Sequence, residues 1–260
     1  MIIKDRIVTA FRTRAILKEM VIRKFRAKYS KAMFGFWWAV VTPLILAFSI
    51  DIIFKHVFKV NIHNFTLFVL SGIIPWLFFS NTVMDVANSF AVDSAILKQG
   101  VFSRELIPIS CVLANFLSFL IGIIFLLPLF LIANPHIIKA LPFLILILSL
   151  HLGFIVGLGM IFATLNTFHD DLVHFLSVGL MLWFWVTPVF YSLQMLNFPY
   201  RWMCLLNPLT YYIVLYRQVL YDGRVPSLEF LSIAFLISII SFIGGYWFFI
   251  KREPELFKKL

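Results

Sequence analysis

Charge is what this sequence has least of. Asp, Glu, Lys and Arg fill 13% of its 260 positions, against about a quarter in an ordinary soluble domain, while the residues AVILMFWYC fill 62%. One soluble core cannot bury that much apolar surface, so lipid has to cover it. Cysteine is nearly absent as well. Cys111 is expected near one end of a membrane span and Cys204 in a later loop on the opposite side, which argues against an intramolecular disulfide. No G-x-x-x-x-G-K-[ST] stretch occurs, so any ATP that drives this protein is expected to bind elsewhere. The motifs C-x-x-C, H-E-x-x-H and G-x-S-x-G are also missing. A cleavable leader is not expected, because residues 1–30 carry too much charge and no short apolar run precedes a small-residue cleavage site.

What is present comes in long apolar runs. A helical span needs about 20 mostly apolar residues. Six stretches qualify: Met33–Phe54, Phe65–Val83, Leu106–Ile132, Leu141–Leu165, Leu172–Tyr191 and Leu228–Ile250. The runs are continuous rather than alternating, so they predict helices and not barrel strands. The expected fold is an all-α integral membrane protein with six transmembrane helices. Basic residues set its orientation. With the N-terminus inside, sixteen Lys and Arg fall in inner segments and six in outer loops, so both termini are expected in the cytoplasm. The excess of basic residues before Ala32 reads as a positive skirt for anionic headgroups, not as a nucleic-acid surface.

The segments between spans carry more information than the spans. In residues 1–32, Leu17, Val21, Phe25 and Tyr29 share one helix face, with Lys18, Arg23, Arg26 and Lys31 elsewhere around it. This is a basic amphipathic helix for the inner interface, either an anchor or a platform for a cytoplasmic partner. Between the second and third spans, residues 84–105 mix Asp85, Asp93, Arg104 and Glu105 with Val86, Phe90 and Leu97. A short inner helix parallel to the membrane is expected there, long enough for a docking surface. The outer loop 192–227 is apolar and broken by Pro199 and Pro208. Two short helices dipping into the outer leaflet would explain it, and one full span at 203–221 is the competing reading. Residues 251–260 form a cytoplasmic tail.

Ionisable residues inside spans are functional candidates by default. Only Asp51, near Lys55 at an outer end, and His151, in mid-span, qualify, with Glu229 at an edge. They do not build a proton or sodium relay. His169, Asp170, Asp171 and His174 lie in an inner loop and at a helix start, where carboxylates are favoured anyway, and no metal site is expected. Gly153 and Gly157 form a G-x-x-x-G that permits close helix contact. Aromatics sort by depth: Phe34, Trp37 and Trp38 at the inner end of the first span, Trp76 and Phe79 at the inner end of the second, and Trp183, Trp185 and Tyr191 toward the outer end of the fifth. Most fit a lipid-facing belt. Some are candidates to line a passage, where sugar rings would stack on them.

Short motifs follow one another in order. Gly35-Phe36-Trp37-Trp38-Ala39 precedes Pro43, and the second span reads Ser71-Gly72-Ile73-Ile74-Pro75-Trp76-Leu77-Phe78-Phe79-Ser80. Then come Phe102-Ser103-Arg104-Glu105-Leu106-Ile107-Pro108, Asn166-Thr167-Phe168, Thr187-Pro188-Val189-Phe190-Tyr191 and Asn207-Pro208. In this order the chain resembles, from Lys18 to Lys251, the type-2 ABC exporter permeases of cell-surface polysaccharides. These include O-antigen permeases of the Wzm type, teichoic acid permeases of the TagG type and capsule permeases. Ser103 stands where that family usually has proline, and Asp170 where it often has arginine.

The resemblance implies a homodimer driven by two cytoplasmic ABC ATPase subunits, which would hold the ATP and magnesium; no cofactor is implied for this chain. It implies that Arg23, Arg26 and Tyr29 belong to an interface helix. Asp85, Phe90, Asp93, Leu97, Arg104 and Glu105 would form a coupling segment for the ATPase. Trp202, Asn207, Pro208 and Tyr211 would belong to outer gate helices. The expected cargo is a lipid-linked polysaccharide, O-antigen first and teichoic acid or capsule next, moved across the inner membrane of a bacterium. Two alternatives stay open: a type-2 permease for drugs or small lipids, and a membrane-embedded transferase built on His169–Asp171.

Overall fold

The computed structural model describes residues 14–56, 59, 62–94, 103–169 and 171–259. Every regular element among the described residues is helical: α1 (Arg14–Tyr29), α2 (Trp38–His56), α3 (Phe65–Ala87), α4 (Ser89–Val92), α5 (Leu106–Ala133), α6 (Ile137–Phe168), α7 (Leu172–Val186), α8 (Tyr200–Leu206), α9 (Pro208–Leu220) and α10 (Leu228–Lys259). Single turns of 3-10 helix at Gly35–Trp37 and Leu193–Met195 join them. Among the described residues, five helices are long and apolar enough to cross a membrane: Gly35–Lys55, Phe65–Ala87, Leu106–Ala133, Ile137–Phe168 and Leu228–Leu256.

The expected span Leu172–Tyr191 is shorter than its hydropathy implied. α7 has 15 residues and ends at Val186. At 1.5 Å per residue it is about 22 Å long, less than a hydrocarbon core of about 30 Å. Pro188 explains the stop: the residue before a proline is pushed out of the helical region, and Thr187 has an extended backbone with ψ 133°. The loop 192–227 forms two helices and not one span. Asn207 is extended between α8 and α9, and Pro208 opens α9 at the position where its missing N–H costs nothing.

The segment after the second span and the C-terminal end are described in part. Between the second and third spans, α3 runs on to Ala87, and the only other helix among the described residues is the single turn Ser89–Val92. Leu97 lies outside the described residues. The presumed tail is a continuation of α10, which stays helical through Lys259 instead of stopping at Ile250.

The core is built around α3. Of its apolar stretch 72% is buried, against 22% for those of α2 and α10. α2, α5, α6, α7 and α9 all pack on it. Because α3 extends four residues past Val83, Trp76 and Phe79 stand at its middle and not its inner end. Both are buried, Trp76 against Phe184 at 5.4 Å and Phe79 against Trp183 at 5.3 Å. They are therefore core residues of this chain.

α6 and α10 form the most extensive helix pair. Glycine lets them meet backbone to backbone. A Cβ on Gly157 would overlap the Ser241 carbonyl, and one on Gly245 the Gly157 carbonyl. Two hydroxyls tie the crossing: Ser238 donates to Leu150 O at 2.7 Å and Ser241 to Phe154 O at 2.8 Å. His151 is fully buried in this layer, stacked on Tyr212 at 4.8 Å and bonded to the Tyr216 hydroxyl at 3.4 Å. That is a packing histidine with its Nδ1 satisfied. Asp51 pairs with Lys55 one turn later at 2.9 Å.

Candidate functional site

The conspicuous polar cluster joins α1 to the C-terminal end of α3, to α4 and to the first turns of α5. Three basic residues on α1 meet two carboxylates. Arg23 donates to Asp93 at 2.9 Å, and Lys24 pairs with the other oxygen of the same carboxylate. Lys28 reaches Asp85 at 3.2 Å and Asn115 Oδ1 at 2.5 Å, and Asn115 Nδ2 donates to Asp85 at 3.0 Å. Asp93 is only 6% exposed, so its charge depends on these partners. The amphipathic helix is thus clamped to the segment after the second span. Arg26 is exposed, and Tyr29 packs its ring on Phe25 at 5.3 Å.

Phe90, Asp93 and Glu105 are buried, and Phe90 stacks on Phe249 at 6.2 Å. Arg104 and Glu253 of α10 lie 3.9 Å apart. In this chain these side chains pack against neighbouring helices. The exposed apolar residue here is Val92. Among the described residues no three His, Cys, Asp or Glu cluster as a metal site; Asp170 lies outside them.

Two cavities flank Lys28 and Asn115. One, of about 160 Å³, opens beneath Tyr29, Trp38, Thr42 and Asn81; the other, of about 440 Å³, lies beside Lys24, Asn88 and Ser89. Pro43 shapes the first. It has no N–H for the Ala39 carbonyl one turn back, and Gly122 of α5 lies against that carbonyl, with room for a Cβ only at 3.1 Å. Of the nearby aromatics Trp38 lines the cavity; Phe34, Trp37 and Trp38 are exposed, and Trp37 packs on Phe125 at 5.1 Å.

At the other end the hairpin α8–α9 is stapled to the end of α7. Asn207 caps α9 by accepting from Leu209 N at 3.0 Å, accepts from Trp183 Nε1 at 2.8 Å and donates to Thr187 Oγ1 at 2.8 Å. The Cys204 thiol meets Val186 O and the Tyr191 hydroxyl, both at 3.4 Å. Arg217 of α9 reaches across to the carbonyls of residues 188, 189 and 191. Just beyond α9, Asp222 pairs with Arg224 at 3.0 Å, and burial raises its carboxyl above the usual range against the pull of Arg224 and Arg217.

Residues 16–221 match the family described as ABC-2 type transporter. The chain belongs to that family. An ABC-2 permease is a transport subunit without a catalytic domain and implies a partner ATPase subunit, in keeping with the missing P-loop. Similar proteins include an O-antigen export system permease protein RfbA of Klebsiella pneumoniae, 33% identical over 234 residues and 89% of each chain. An RfbA of Myxococcus xanthus is 28% identical over 94% of this chain and 95% of its own. A polysialic acid transport protein KpsM of Escherichia coli is 25% identical over 92% and 95%.

Within this ABC-2 permease the residues singled out from sequence divide into two ends. Trp185 is exposed on α7, and Tyr191 is partly buried beside Cys204. Trp202 is exposed on α8, while Tyr211 donates to Leu205 O at 2.8 Å and packs on Phe230. Sequence reasoning missed Arg217, counting it among basic residues of an outer loop. The signal was there: an arginine inside the apolar run Leu209–Leu220 has to be buried or to dip into lipid. Asn207→Ala removes a helix cap and two side-chain bonds at once. It should cost about 2 kcal/mol, measurable as a lower midpoint in SDS unfolding from detergent micelles.

Proposed function

We propose that this permease exports a cell-surface polysaccharide across the inner membrane of a bacterium, with O-antigen the first expectation and teichoic acid or capsule polymers next. The observation that carries the reading is the likeness to O-antigen export permeases along 89% of both chains. Two copies would form the passage and two cytoplasmic ABC ATPases would bind ATP and drive it. In this reading α7, with the turn that follows it, completes a sixth crossing, and both termini face the cytoplasm. Residues 1–32 serve as interface helix, 33–250 as membrane domain with coupling segment 84–105 and outer gate 192–227, and 251–260 as the inner end of α10.

The geometry supports a division of labour. The α1 clamp lets a push on the segment holding Asp85, Phe90, Asp93, Leu97, Arg104 and Glu105 reach Arg23 and the inner cavity. Exposed Phe34, Trp37, Trp38 and Trp185 offer stacking faces to a sliding lipid-linked glycan. Trp202 and its neighbours on α8 cover the outer end. Deleting the gene in its host should remove surface polysaccharide and leave lipid-linked polymer inside; restoring this chain together with its ATPase should reverse both. Intact surface polysaccharide with raised drug sensitivity would overturn the reading.

A further inference from the structure

α7 is attached unevenly. Along its length Phe175, Val178, Met181, Leu182 and Trp185 are exposed, and away from its bonds to the α8–α9 hairpin it packs chiefly on α3 and α6. Its outer end, by contrast, is held by a buried guanidinium. We propose that Arg217 is a positioning residue that pins the outer end of α7 to the α3–α9 core, making that end the pivot about which α7 moves during transport.

The base of the pin is firm. α9 packs on α3, α6 and α10, and its Tyr212 and Tyr216 are fully buried. Arg217 Nη2 donates to Pro188 O and Val189 O, both at 2.8 Å, and Nη1 to Tyr191 O at 3.3 Å. Its guanidinium lies 3.8 Å over the Phe68 ring of α3. Gly72 makes the room: a Cβ there would meet Val189 O at 2.9 Å and the guanidinium at 3.2 Å. Among the described residues no carboxylate lies within salt-bridge distance of Arg217, so backbone carbonyls are what hold this cation. A planar fork presents its donors to several carbonyls in fixed directions, which the compact ammonium of lysine on its flexible stem does not reproduce. An element fixed at one end and sparsely packed elsewhere opens from its loose end.

The inference rests on the permease reading, and the test separates the two. Cells would carry this chain with its ATPase, in a Cys111→Ser background. Val186→Cys puts a cysteine at the residue whose backbone carbonyl lies 3.4 Å from the native Cys204 sulfur. Oxidising this pair should leave export of the host's own surface polysaccharide within about twofold of the reduced state. A disulfide that stops export would show that the outer end of α7 must separate from the hairpin, and would overturn the proposal. Arg217→Gln should cut export about tenfold while ATP hydrolysis continues, and the disulfide should restore it. Full export by Arg217→Gln and by Arg217→Lys would also overturn it. If Arg217→Gln fails to fold, the disulfide in the parent still decides; if no disulfide forms, the arginine variants decide. A parent complex that exports nothing counts against the permease reading, not against the pivot.

Discussion

Gly157→Leu should abolish accumulation of folded protein in the membrane, and Gly157→Ala should lower its stability by at least about 3 kcal/mol. The sign is not obvious from helix propensity, which favours alanine over glycine by about 1 kcal/mol. At this crossing, however, the added carbon would overlap the backbone of Ser241 and Phe242, which cannot swing away as a side-chain tip could. Overpacking a well-filled core against side chains costs about 1–3 kcal/mol, and displacing backbone costs more. The Ser238 and Ser241 bonds to α6 would stretch as the helices part. Gly153 is the internal control, one turn away on the same motif. A Cβ there meets only Ser238 Cβ at 3.9 Å, an ordinary contact. Gly153→Ala should be neutral or slightly stabilising. Comparing SDS-unfolding midpoints of the two alanine variants checks the claim, and equal midpoints would refute it.

Asp93→Ala should release α1 from the rest of the molecule. The carboxylate is 7% exposed at its side chain and serves two cations, of which Lys24 is 15% exposed and Arg23 52%. Removing one partner of a buried pair costs about 3–5 kcal/mol. Arg23 is half in water and Lys24 has a long stem that can snorkel, so about 2 kcal/mol is the expected loss. Asp85→Ala should cost less than about 1 kcal/mol, since that carboxylate is 46% exposed. The readout is trypsin cleavage at Arg23, Lys24 and Lys28 in inverted membrane vesicles. Asp93→Ala should be cut faster than the parent and Asp85→Ala nearly as slowly. Raising salt should speed cleavage of the parent little, because buried pairs are weakly screened.

The helices were legible in the sequence because hydropathy reports avoidance of water. It does not report what replaces the water. Trp76 and Phe79 read as belt or passage residues, yet protein covers them. Trp185 has the same hydropathy signature and is exposed. Nothing local separates the two cases, because burial depends on which helix arrives alongside. Asp85 and Asp93 were visible as charges in an inner segment, but their partners lie 57 to 70 positions earlier. The break at Pro188 and the start of α9 at Pro208 were readable from backbone sterics alone. The G-x-x-x-G was readable as a pattern, but not that Gly157 carries the crossing while Gly153 is nearly free. Arg217 was misjudged in role, since a tally of basic residues treats every arginine as solvated.

The crossing of α6 and α10 also sets Glu253 and Leu228 at unequal distances from one fulcrum on α10. From the contact at Gly245 to Glu253, beside Arg104, is about 12 Å; from Gly245 to Leu228 is about 26 Å. About that fulcrum a displacement of about 1 Å at Glu253 sweeps Leu228 through about 2 Å. Glycine at the fulcrum keeps the bearing narrow, and a bulkier residue there would do more than destabilise the pair: it would shift the point about which the helix turns.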